Sequence, residues 1–97
     1  MRDKIFTIIK EAVTDLNEEL DYDSLKNVSE QTTIFGGDDG IDSLSLVMLV
    51  TEIESLVFDQ LNLSISLADE KAMSMRNSPY RNVGALLDFA LSKVEAA

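Results

Sequence analysis

Histidine and cysteine are both missing from this 97-residue sequence, and each absence removes a class of chemistry. Without cysteine there is no disulfide, no thiolate nucleophile and no thiolate metal site. Without histidine the usual general base and the commonest metal ligand are gone, so Ser-His-Asp and Cys-His catalysis are excluded. Any thiol chemistry carried out here must come from a group attached to the chain. Positive charge is scarce too. Eight Lys and Arg stand against eighteen Asp and Glu, a formal charge of −10. Such a surface repels nucleic-acid phosphates and disfavours anionic membranes, and basic protein partners are its natural complement. No apolar run reaches membrane-spanning length, and Met1-Arg2-Asp3-Lys4 opens into an amphipathic pattern without the apolar core of a signal peptide. A monomeric, cytoplasmic protein is the expectation, with no membrane insertion. Repeats and low-complexity tracts are absent as well.

What is present is apolar content of 45%, enough for the single small core of one domain spanning residues 1–97. The spacing predicts a first helix from about Asp3 to Leu16, with Ile5, Ile9, Ala12 and Leu16 on one face and Asp3 as its cap. Lys4, Lys10, Glu11 and Asp15 fall on its solvent side. A long connection follows from Ser24 to Ile41, touching the core at Leu25 and Val28 and held down by Ile34 and Phe35. A loop of this length in a small domain usually serves a function. The next helix is expected from Ser43 to about Asn62. Val50, Ile53 and Val57 centre its core face, Leu46 and Leu49 flank them, and Glu52 and Asp59 lie opposite in solvent. Leu44, Met48, Thr51 and Ser55 form a further strip near Ser43. The apolar arc is wider than one packing contact needs, which means either deep burial or a sticky surface.

Leu63 to Leu67 alternates apolar and polar residues, but nothing strand-like exists to pair with it, so it reads as an extended linker. Asp69-Glu70-Lys71-Ala72-Met73 suits a short third helix. Pro79 then breaks the chain. Val83, Leu86, Leu87, Ala90, Leu91 and Val94 describe a closing helix that Asn82 can cap. Three main helices and a short one, with no paired strands, predict an all-α four-helix bundle.

Ser43 stands where a glycine-rich acidic loop, Phe35-Gly36-Gly37-Asp38-Asp39-Gly40, turns into a helix. Free amides and the helix dipole favour an anion there, a good place for a serine carrying a phosphodiester. Serine and aspartate before an apolar helix are also ordinary caps, so position alone leaves both roles open. A calcium loop counted from Asp38 fails, since Ser43 falls where glycine belongs and Leu49 where the closing glutamate belongs. Only a loose divalent-ion contact at the acidic loop stays open. The glycines lack a Walker lysine, and no nucleophile elbow surrounds Ser43. Leu44 and Met48 suit either the core or an adaptable interface.

Gly40-Ile41-Asp42-Ser43-Leu44 resembles the attachment motif of acyl carrier proteins, in which the serine of Asp-Ser-Leu bears 4′-phosphopantetheine. The resemblance extends over most of the chain. It takes in the amphipathic first helix, the long loop, the apolar spacing from Leu44 to Val57, Asp69-Glu70-Lys71-Ala72 as the short third helix, and Val83-Gly84-Ala85-Leu86-Leu87-Asp88-Phe89 as the last. It implies a carrier rather than an enzyme. A phosphopantetheinyl transferase would load Ser43, flanked by Asp42 and Leu44, and the arm would hold acyl groups as thioesters. Partner contacts with basic docking patches on acyl-transferring or synthase enzymes would fall to Asp38, Asp39, Leu44, Met48 and Glu54. An acyl chain retreating between the helices would meet Leu46, Leu49, Ile53, Ile65 and Leu87, a set chosen on apolar pattern. Ser45 and Met48 stand where fatty acid synthesis carriers usually place acidic residues. The stretches Phe58 to Leu67 and Ser74 to Tyr80 also look longer, which implies a specialised member serving one lipid, polyketide or nonribosomal peptide pathway. The competing reading is an unmodified acidic helical adaptor for basic partners.

Overall fold

The computed structural model describes residues 1–35, 40–68 and 79–96, with the side chain of Ser24 left out. Three α-helices and a 3₁₀ turn make up its regular structure, and no strand forms among the described residues. Helix α1 spans Arg2–Leu20, α2 spans Ser43–Leu61 and α3 spans Val83–Ala96. The all-α expectation holds at the level of these three. The Asp69–Met73 segment, read from the sequence as a fourth helix, lies outside the described residues.

Helix α1 starts earlier and runs a full turn further than its apolar spacing implies. Met1 is its cap residue and makes no side-chain bond, while Asp3 sits inside the first turn rather than capping it. The helix continues through Asn17-Glu18-Glu19 because exposed residues on the last turn need not be apolar. It stops at Asp21, whose backbone is left-handed (φ 54°) and whose N–H bonds to Asn17 O. The Asn17 side chain completes the stop, accepting from Tyr22 N at 2.7 Å and donating to Tyr22 O at 3.1 Å. Helix α2 ends in the same manner at Asn62 (φ 55°). Asparagine and aspartate are the non-glycine residues that adopt this conformation most readily.

Helix α1 packs against both α2 and α3. Ile5, Ile9 and Ala12 meet Val50, Ile53 and Val57 of α2 and Val83, Leu86 and Ala90 of α3 in one core, all nearly solvent-free. The connection between α1 and α2 is tied down more thoroughly than its polar sequence suggests. Leu25, Ile34 and Ile41 are buried, with Val28 and Phe35 packed beside them. Its backbone is stitched to the start of α3 through Ile34 N to Arg81 O, Phe35 N to Tyr80 O, Val83 N to Thr32 O and Gly84 N to Glu30 O, at 2.8–3.1 Å. A Cβ at Gly84 would stand 3.0 Å from the Glu30 carbonyl oxygen, so glycine permits this approach. Arg2 adds a surface clasp, reaching Glu30 at 2.6 Å and Asp88 at 2.7 Å.

Beyond Asn62, residues 63–68 form neither helix nor strand, with Leu67 buried and Ser64 and Ser66 exposed. Two latches hold this linker. Leu67 N donates to Glu54 Oε2 at 2.6 Å, and the hydroxyl of buried Tyr80 donates to Leu67 O. The Tyr80 ring meets Phe89 edge-on at 5.9 Å.

Candidate functional site

The local sequence presents Ser43 between two anchors. Ile41 on one side and Leu46 on the other are buried, while Asp42, Ser43 and Leu44 between them are exposed. Ile41 N donates to Ile34 O at 2.7 Å, which ties down the backbone just before the helix. Asp38 and Asp39, expected as partner contacts, lie outside the described residues.

Asp42, rather than Ser43, is the cap. Its Oδ1 accepts from Ser45 N at 2.7 Å, and its backbone is extended while Ser43 is already the first helical residue. Hydrogen bonding from Ser45, its backbone N–H foremost, holds the Asp42 carboxyl below the usual carboxylate range. The Ser43 hydroxyl has no hydrogen-bond partner among the described residues. A serine with no structural bond, exposed at the positive end of a 19-residue helix, can accept a phosphodiester without losing any contact. The residues present therefore fit a phosphopantetheine arm on Ser43.

Beyond Ser43 the exposed strip of α2 is apolar. Leu44 is 70% exposed, Met48 48% and Val47 43%, and further along the same helix Phe58 is 56% exposed. The wide apolar arc is thus partly a sticky surface. Val47 reads from the sequence only as part of the apolar helical spacing, and Phe58 carries no site role there. Phe58 continues the Leu44-Met48-Thr51-Ser55 spacing by one step, and that is the signal which finds it. Glu54 is half-buried and engaged by Leu67 N, so one of its oxygens serves the linker.

The proposed acyl-pocket residues are brought together, but as core. Leu46, Leu49, Ile53 and Leu87 are at most 1% exposed. Ile65 is half-buried and lines a groove of about 320 Å³ with Phe58, Ser55 and Thr51 on the outer side of α2. Glu52, assigned from spacing to the solvent face, instead sits at the seam with α1. Burial, then the charge of Asp15 and a hydrogen bond with it, then the charge of Glu11, push its carboxyl above the usual range. Among the described residues no group of three or more carboxylates has the arrangement of a metal site, and no helix is long and apolar enough to cross a membrane.

No family model, curated protein or solved structure matches the chain.

Proposed function

We propose that this chain is an acyl carrier, with 4′-phosphopantetheine attached through a phosphodiester to Ser43 Oγ. The observation that carries the reading is the division of labour at the helix start. Asp42 takes the cap, and the neighbouring serine hydroxyl is left exposed, without a hydrogen bond among the described residues, at an anion-favouring end. The absence of cysteine agrees with a chain whose only thiol would arrive on the arm. When bound, the arm supplies a thiol for thioester formation. The protein's own residues do the presenting. Ile41 and Leu46 fix Ser43 against the core, and the free amides of the first turn face the phosphate position. Leu44 and Met48 offer apolar contact to enzymes that act on the cargo.

The reading includes a fourth helix near Asp69–Met73, completing a carrier-type bundle, and a monomer working in the cytoplasm. Its partners are a phosphopantetheinyl transferase and acyl-transferring or synthase enzymes with basic docking patches. The apolar strip at Leu44, Val47 and Met48, where an acidic row would suit general traffic, favours a dedicated pathway over a housekeeping role. A peptidyl or aminoacyl carrier shares every one of these features apart from cargo. The same strip would equally serve an unmodified adaptor, which is the second reading.

Thiol titration separates carrier from adaptor. The chain has no cysteine, so the apo protein titrates no thiol. After incubation with coenzyme A, a promiscuous phosphopantetheinyl transferase and removal of free coenzyme A, the carrier shows about one thiol per chain and Ser43→Ala shows none. Absence of any thiol with several transferases leaves the adaptor standing.

A further inference from the structure

Leu67 is the buried residue of the linker, and side chains hold both of its backbone groups. Glu54 Oε2 accepts from its N–H at 2.6 Å, and the hydroxyl of Tyr80 donates to its carbonyl oxygen. Helices satisfy these groups with their own backbone, so the linker depends on two side chains for what regular structure would supply.

Tyr80 joins this latch to the connection ahead of α2. Its hydroxyl holds the linker, and its own carbonyl accepts from Phe35 N at 3.0 Å. The next carbonyl, Arg81 O, accepts from Ile34 N at 3.1 Å, and Ile34 O accepts from Ile41 N at 2.7 Å. Ile41 stands two residues before Ser43. A continuous series of hydrogen bonds and short covalent steps therefore runs from Glu54 through Leu67, Tyr80, Phe35 and Ile34 to the backbone at the attachment end. Tyr80 is 1% exposed and its ring meets Phe89 edge-on, so it moves with its surroundings and not alone.

We propose that the linker is a strap with two states, and that the latch at Leu67 sets how firmly the backbone before Ser43 is held. Latched, Leu67 fills its place in the core and Tyr80 keeps residues 34, 35 and 41 paired. Released, Leu67 withdraws, the Tyr80 hydroxyl loses that acceptor, and the pairing at Phe35 and Ile41 opens in the same event. The strap is the segment expected to open first. Residues 63–68 belong to no helix or strand, and Glu54 is half-buried, where water competes for its oxygens. Glu54 lies eleven residues beyond Ser43, about 16 Å along the helix axis, so it acts on that end through the strap and not by contact. Glu54 and Tyr80 are positioning residues in this device. Its consequence for loading and presenting an arm rests on the carrier reading of Ser43, whereas the opening itself does not.

The test is amide hydrogen exchange, followed residue by residue by NMR on the full chain without any arm. In wild type the amides of Phe35, Ile41 and Leu67 exchange through one common opening, and faster than the opening that exposes Ile9 and Ala12 in α1. Tyr80→Phe accelerates all three by about fivefold or more. Glu54→Ala does the same at Phe35 and Ile41, neither of which it touches. Glu54→Gln keeps an acceptor for Leu67 N and returns both to within about twofold of wild type. Val94→Ala trims a buried side chain near the far end of α3. It accelerates the α1 amides about fivefold or more and leaves the three strap-linked amides within about twofold, because its contacts survive in the open state. The proposal is overturned if Phe35 and Ile41 keep their wild-type rates in Tyr80→Phe and Glu54→Ala. It is equally overturned if Val94→Ala speeds them as much as it speeds α1, since the strap then opens only with the whole fold. The measurement needs nothing on Ser43, so its failure and a failed thiol count are separate results.

Discussion

At the turn into α2 a carboxylate and a hydroxyl stand next to each other, and the backbone needs only one of them. Asp42 satisfies the Ser45 amide. Ser43 is therefore free of structural duty, and Ser43→Ala is expected to change folding stability by no more than about 0.5 kcal/mol. A larger loss in a denaturant titration would show that the hydroxyl is structural after all. Asp42→Ala should lower stability at neutral pH, while Asp42→Asn retains most of it, because an amide oxygen caps as well. The pH dependence has a definite sign. The carboxyl is held below its ordinary value of 3.8, so its contribution is present above that value and is lost as pH falls through the lower folded one. The gap between wild type and Asp42→Ala in denaturant midpoint should narrow on acidification, and a gap of unchanged size in strong acid would assign the effect to something other than the charge. Ser43 was legible in the sequence as the residue at the loop-to-helix junction. Which of Asp42 and Ser43 would cap was not, since both residue types cap well and only the backbone decides between them.

Helices are where sequence pattern and structure agree most closely, and where they part the cause is local. Helix α2 begins at Asp42 and ends at Asn62, and α3 begins at Asn82, each a cap-forming residue beside clean apolar spacing. Helix α1 outruns its apolar face by a turn because a left-handed Asp21 sets its end, and hydrophobic spacing does not register that. Glu52 was misread for another reason. Its position on α2 faces outward until α1 packs beside it, and only tertiary structure brings Asp15 and Glu11 near. Its folded carboxyl is raised above the ordinary 4.5, so ionising it costs stability at pH values above the folded one, and that cost vanishes below the ordinary one. Glu52→Gln is thus expected to raise the melting temperature at neutral pH and to lose that advantage in acid, as thermal denaturation across pH would record. An advantage of equal size at all pH values would contradict the account of the pair. Tyr80→Phe tests the linker latch. It removes the hydroxyl that donates to the carbonyl of buried Leu67, at an expected cost of about 1–3 kcal/mol in chemical denaturation.

Across the whole molecule, α1 is the element that both other helices lean on, and the long connection is bound into the bundle rather than draped over it. That binding could not be read from the sequence. Residues 30–35 pair with residues 80–84 through main-chain hydrogen bonds, which leave no period and no preferred residue type apart from Gly84 at the tightest approach. The apolar anchors Ile34 and Ile41 were visible as isolated hydrophobic residues in a polar stretch, and they are the ones that place Ser43. The result is a platform that holds Ser43 exposed at a helix start, with an apolar strip leading away from it on a strongly acidic chain. The most direct measurement is tandem mass spectrometry of the chain after reaction with coenzyme A and a phosphopantetheinyl transferase. The account predicts a single added phosphopantetheine located on Ser43, and none on Ser43→Ala. An unmodified chain under conditions that load other carriers, or the same added mass on a different serine, would contradict it.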